Sequence, residues 1–190
     1  AASPCNVGGY AMYLPNAFHR VWATAGEYHI QVDTRGQRHY DPTGLVRIHR
    51  RGVPQETALS MGMVPSPGYH MPLAKAQRAV ALGVGWPTGS GWQYLASASR
   101  DTHDVLVRDV REGNTVSLRI DYCDRDGGLG TSSVHEDYCV SADGLHLRSH
   151  VPGAAKVRLQ IPIIETDGEQ RSRVSLEKQG IDLSYRGHTL

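Results

Sequence analysis

Thr115-Val116-Ser117-Leu118-Arg119-Ile120-Asp121-Tyr122 alternates apolar and polar residues without a break. Val116, Leu118, Ile120 and Tyr122 fall on one side of an extended chain, and Ser117, Arg119 and Asp121 on the other. This is the period of a strand with one face in a core and one in water. Glu112-Gly113-Asn114 precedes it and Asp126-Gly127-Gly128 follows, and both are turn chemistry.

The same period recurs on either side. Leu145, Leu147 and Val151 alternate with His146, Arg148 and His150. Val157, Leu159, Ile161 and Ile163 do so with Arg158, Gln160 and Pro162, and Ile181, Leu183 and Tyr185 close the chain in the same way. Asp143-Gly144, Pro152-Gly153, Asp167-Gly168 and Gly180 punctuate these runs. No stretch carries a capped i, i+3, i+4, i+7 apolar pattern. The expectation is an all-β, antiparallel two-sheet β-sandwich of roughly a dozen strands, one domain over residues 1–190. Residues 62–77, with Pro65, Pro67 and Pro72, read as a surface loop. Residues 83–92 read as a glycine-rich loop between Trp86 and Trp92, without the Gly-Lys-Ser/Thr of a phosphate loop.

Composition excludes several classes. The chain has 190 residues, 39% hydrophobic and 21% charged, with a net charge of +1. No global field draws it to nucleic acid or an anionic membrane, and no apolar run approaches the ~20 residues of a membrane span. It opens Ala1-Ala2-Ser3-Pro4 without Met or a leader, and the expectation is a piece of a longer protein. Three cysteines are too few for a disulfide framework, and Cys123 and Cys139 do not fall opposite each other across a turn at Gly127-Gly128.

Titratable residues concentrate between Phe18 and Gln55, including His19, His29, His39 and His49. In Tyr28-His29-Ile30-Gln31-Val32-Asp33, the residues His29, Gln31 and Asp33 share the face opposite Tyr28, Ile30 and Val32. Arg47, His49 and Arg51 share a face of the next run, and Arg38-His39-Tyr40-Asp41-Pro42-Thr43-Gly44 joins the two. If the runs are neighbours, imidazoles, guanidiniums, a phenol and carboxylates gather on one surface. Eliminating a uronic acid glycoside needs such a set: Arg against the substrate carboxylate, and His or Tyr as base and acid. The plain alternative is a solvated sheet face. A second reading is a metal site, with His29, Asp33, Asp41 and His49 as nitrogen and oxygen donors to zinc, although no pair has a diagnostic spacing.

Other candidates are weaker. Trp22, Trp86, Trp92, Tyr69 and Tyr94 offer faces for sugar stacking and serve equally as core filler. Asp124-Arg125-Asp126-Gly127-Gly128 is better explained as a hairpin turn than as a calcium loop. Ser132-Ser133-Val134-His135-Glu136-Asp137 contains the residue types of a hydrolytic triad, but on one strand, where convergence is not expected.

From Gly26-Glu27-Tyr28-His29-Ile30-Gln31-Val32-Asp33 through Tyr40-Asp41-Pro42-Thr43-Gly44 to Arg47-Ile48-His49, the chain resembles the β-sheet domain of heparinase II/III-like polysaccharide lyases. That pattern runs His-x-His-x-Asp, then Asp-Pro-Gly, then His. The resemblance implies a sheet domain that forms one wall of a cleft against an N-terminal helical toroid, absent from this chain, in an extracellular or periplasmic enzyme. By it His29 is the catalytic histidine, and the residue chemistry above adds Tyr40 and His49 as candidate catalytic acid or base. From the same residue chemistry Arg47, Arg51, Gln31, Trp86 and Trp92 are expected to bind an acidic polysaccharide, whereas Asp41 and His49 as zinc ligands are what the resemblance implies. Gln31 stands where the pattern has its second His, and Pro-Thr-Gly replaces Pro-Gly. The expected function is β-elimination on uronic-acid-containing glycans. The alternative is a non-catalytic carbohydrate-binding or structural module. Neither nucleic acid nor membrane is an expected partner.

Overall fold

The computed structural model describes residues 8–16, 18–36, 42–52, 81–99, 101–162, 169–178 and 180–189. The protein is all-β. Fourteen strands and one 3-10 turn, Leu95–Ser97, make up its regular structure among the described residues.

Two four-stranded antiparallel meanders form the sandwich. The first contains β1 (Tyr10–Leu14), β2 (Arg20–Ala25), β3 (Tyr28–Asp33) and β4 (Gly44–Arg50), side by side in that order. The strands β5 (Gly83–Thr88) and β6 (Gly91–Tyr94) follow as a hairpin. The second meander contains β7 (His103–Glu112), β8 (Thr115–Asp124), β9 (Ser133–Ser141) and β10 (Gly144–His150). Strand β11 (Arg158–Gln160) adds to the free edge of β5, and β12 (Arg173–Glu177), β13 (Gly180–Tyr185) and β14 (His188–Thr189) make a small sheet of their own.

Burial follows the alternation of the sequence. Val116, Leu118, Ile120 and Tyr122 of β8 all point inward, as do Val134, Tyr138 and Val140 of β9. From the first sheet they meet Val21, Ala23, Ala25, Ile30, Val32 and Leu45 in one apolar cluster. β2 lies over β8 and β9, and β3 lies over β9. The alanines of β2 let the sheets approach where Tyr122 and Tyr138 fill the space opposite. Removing a fully buried side chain here, as in Ile30→Ala, costs about 2–5 kcal/mol on the usual scale for a core cavity. Gly26 turns β2 into β3 at φ 58°, and a Cβ there would come within 2.7 Å of the Ala142 Cα.

The stretch expected to be a glycine-rich loop, 83–92, is the β5–β6 hairpin, turning at Gly89-Ser90. Its glycines mark close approach rather than mobility. Gly85 lies under the Tyr94 ring, and a Cβ at Gly85 would meet it at 2.6 Å. Pro87 is tolerated because β11 covers only Gly83 to Gly85 on that side of β5. The expected loop at 62–77 lies outside the described residues.

Candidate functional site

β3 and β4 are neighbours, so the condition on the candidate site is met. His29 is the direct cross-strand partner of His49, and Gln31 is the partner of Arg47. On the other side of β3, His29 faces Thr24, Gln31 faces Trp22 and Asp33 faces Arg20. The outward face of the first sheet therefore carries two adjacent rows, Thr24-His29-His49 and Trp22-Gln31-Arg47. A bulge helps to build it. Between the pairs Gln31–Arg47 and Val32–Leu45, Val46 is the extra residue of β4. It lets Leu45 turn into the core while Arg47, two positions on, is exposed.

The Thr24 hydroxyl lies 2.7 Å from Nδ1 of His29 and fixes the plane of the ring. Burial of the half-covered imidazole pushes its pKa below the ordinary histidine value, and the neighbouring His49 and Arg47 push it the same way. The ring is therefore neutral at pH 7. Asp33 is buried, ion-paired with Arg20, whose Nε lies 2.8 Å away, and hydrogen-bonded by the Gln31 amide at 3.2 Å. That carboxylate braces Arg20 and Gln31, while the Thr24 hydroxyl holds the His29 ring. The sequence alone did not reveal Thr24. The alternation of Val21, Ala23 and Ala25 with Trp22 and Thr24 shows which way it points, but only the register of β2 on β3 sets it against His29.

The remaining candidates separate. Arg51 follows β4 in an exposed turn, where its backbone N–H bonds the Glu27 carbonyl at 2.8 Å, so it does not extend the Arg47–His49 row as a strand residue. Trp86 is not a sugar-stacking surface. It is 1% exposed, in the main core, and its indole N–H donates to the Leu129 carbonyl at 3.2 Å. Trp92 is half-buried on a different sheet, with the Arg158 guanidinium 3.8 Å from its ring centroid, so one aromatic face already holds a cation. Tyr94 is core, and Trp22 is half-buried beside Gln31. Tyr40, Asp41, His39 and Tyr69 lie outside the described residues.

For zinc, the described residues offer the facing pair His29 and His49. No three His, Cys, Asp or Glu side chains among them gather as a metal site, and the third place in the pattern holds the Gln31 amide. Asp41, the other ligand that the resemblance implies, lies outside the described residues, and no chemistry is routed through a metal here.

Two further sequence readings are settled locally. Asp124 spends its carboxylate on its own turn, accepting the Gly127 and Leu129 N–H groups at 2.7 and 2.6 Å, as a hairpin connection requires. Ser133 and His135, two apart on β9, do share a face and converge, with Ser133 Oγ 3.1 Å from His135 Nε2. The carboxylate at the other ring nitrogen is Asp121 of β8, at 2.7 Å, and not Asp137. Burial raises the Asp121 pKa, and the hydrogen bonds from Arg119 and His135 outweigh it and hold the carboxyl below its usual value. Arg119 at 2.9 Å and Arg108 at 3.3 Å share this carboxylate, so the His135 ring belongs to an ion-pair network. Cys123 and Cys139 are free thiols.

Comparison of the chain with family models, with curated proteins and with solved structures finds no match.

Proposed function

We propose that the chain is the β-sheet part of a carbohydrate-active enzyme, a polysaccharide lyase that cleaves uronic-acid-containing glycans by β-elimination. The observation that carries this reading is the pairing of His29 with His49 beside Arg47 and Gln31 on one outward face. Elimination removes the proton on the carbon bearing the carboxylate and expels the glycosidic oxygen from the next carbon. A guanidinium on the carboxylate makes that proton more acidic, and Arg47 is exposed for the purpose. The base must be neutral at working pH, as His29 is. In the tautomer where Nδ1–H donates to Thr24 Oγ1, Nε2 carries the lone pair that takes the proton. His49, one strand away, is placed to return a proton to the leaving oxygen, and Gln31 to hold a sugar hydroxyl.

This face is one wall. A helical domain of the same protein supplies the other, and the enzyme works on extracellular or periplasmic glycan. The scattered tryptophans favour this over an aromatic binding groove, because Trp22, Trp86 and Trp92 share no surface. The test is His29→Ala in the intact parent protein, with unsaturated uronate product followed by ultraviolet absorbance. The expected loss is about 100-fold or more, the scale of a general base. Unchanged turnover ends the assignment.

A further inference from the structure

The outer face of the second sheet carries a different arrangement. Cross-strand register lines up Arg108, Arg119, Asp137 and Arg148, one residue from each of β7, β8, β9 and β10. The next row is Val110, Ser117, Cys139 and His146. Ser117 and Cys139 are short, so the long arginine arms stand above a trough of 610 Å³ at the middle of the sheet. With strands about 4.8 Å apart, the row runs about 14 Å from Arg108 to Arg148. Arg119 and Arg108 both share Asp121, at 2.9 and 3.3 Å, and Arg119 lies 3.7 Å from Asp137, whereas Arg148 makes no hydrogen bond or ion pair among the described residues.

We infer that this trough is a binding site for an acidic glycan, separate from the His29 face and holding the chain by carboxylate or sulfate groups on Arg108 and Arg148. Three guanidiniums face two carboxylates, Asp137 in the row and Asp121 beside it, so one positive charge is left over for an anion, and Arg148 presents an unengaged planar donor fork to an oxyanion. Asp137, Ser117 and His146 alongside them distinguish the ligand. A sugar chain brings hydroxyls between its acidic groups, and these need such partners. A nucleic acid brings a continuous run of phosphates, which the Asp137 carboxylate in the row and the Asp121 carboxylate beside it oppose. The choice of acidic glycan, rather than any other polyanion, rests on the proposed function. The site itself rests on the row.

Binding is tested by calorimetry on the full chain with oligogalacturonate, dextran sulfate, neutral dextran, inorganic sulfate and a duplex oligonucleotide. The proposal expects an acidic oligosaccharide to bind the wild-type chain. Arg108→Gln/Arg148→Gln is expected to weaken it at least tenfold, with the β circular dichroism spectrum retained. Should that double variant unfold, Arg148→Gln alone, changing an exposed side chain, must still weaken binding severalfold. Oligogalacturonate and dextran sulfate separate carboxylate from sulfate as the anchoring group, and binding of either supports the site. Equal binding of neutral dextran, saturation by inorganic sulfate at the same affinity as the polymer, or tighter binding of the duplex would each overturn it. So would a loss caused by Arg47→Gln and not by the arginine pair, or no binding by any acidic glycan. Those results leave the turnover assay of the parent protein untouched, so the two readings fail separately.

Discussion

The two sheets of the sandwich are built by the same period and handle titratable groups in opposite ways. The first keeps its core side apolar, from Val21 to Leu45, and sets an unneutralised imidazole pair on its outer face. The second ties its outer charges into pairs, Arg119 and Arg108 on Asp121, and carries a carboxyl inside, Glu136. An imidazole that is desolvated, with a second imidazole and a guanidinium beside it, is kept neutral and reactive. Charges that are paired and half in water are suited to holding a ligand rather than transforming it. The difference separates a face that can do proton chemistry from a face that can grip.

The largest expected effect comes from the inward carboxyl. Glu136 is fully buried, and burial raises its pKa from 4.5 to about 7, against the pull of hydrogen bonds from Tyr138 at 2.5 Å and Tyr122 at 3.4 Å. Between these two values the folded chain holds a proton that the unfolded chain has released. Stability is therefore highest below pH 4.5 on this account and is lost as pH rises through about 7. At 1.36 kcal/mol per unit, the loss is roughly 3 kcal/mol. His29 and His103, both lowered by burial, act in the opposite sense below pH 6.5, so the comparison must be with a variant. Glu136→Gln is expected to remove this component, seen as a smaller fall in urea-unfolding free energy from pH 5 to pH 8. Parallel pH profiles for the two chains would mean that Glu136 stays ionised in the fold.

Next in size is the outer face of the first sheet. His29→Ala is expected to lower turnover of the parent by about 100-fold while leaving the melting temperature nearly unchanged, because the ring lies outside the core. A large drop in melting temperature instead would make His29 a structural residue and erase the contrast between the faces. Thr24→Val tests the orientation separately. It keeps the shape and removes the hydroxyl at 2.7 Å, and about a tenfold loss in kcat with KM little changed is the expected result.

How much of this the sequence carried varies by feature. The alternation in Thr115–Asp124 and Tyr28–Asp33 gave strand and face together, since period 2 needs no knowledge of partners. The 83–92 hairpin was not legible, because Gly85 and Pro87 resemble loop residues until Tyr94 and the short β11 are placed beside them. The meeting of His29 with His49 was legible only as a condition on strand order. Thr24, and the row from Arg108 to Arg148, depend on register between strands, which local pattern leaves open. Glu136 falls among Val134, Tyr138 and Val140 by parity, so its burial was visible in the pattern. Ser133, His135 and Asp137, the triad residue types of that strand, lie on the opposite face.

The smallest expected effect is the sharpest test of the contrast. His29 titrates below 6.5 for three reasons: burial, His49 and Arg47. Burial is the largest and is a property of the fold, so no single charge removal should restore the ordinary value. Arg47→Gln takes away one positive neighbour and keeps a side chain of similar length that is exposed in the native sheet. The His29 pKa should therefore move up, toward 6.5, and remain below it. His49→Gln should move it in the same direction, and the double variant further than either. Nuclear magnetic resonance titration of the ring in the 190-residue chain reads this without any substrate. If His29 in the native chain already titrates at or above 6.5, the ring is hydrated and freely charged. The first sheet then presents the same kind of solvated polar face as any other, and the case for proton chemistry on it falls. If the value lies below 6.5 but does not move when Arg47 loses its charge, the guanidinium is too far away or too well screened to act on the ring. Arg47 is then too far from His29 to hold a carboxylate at the atom the base attacks.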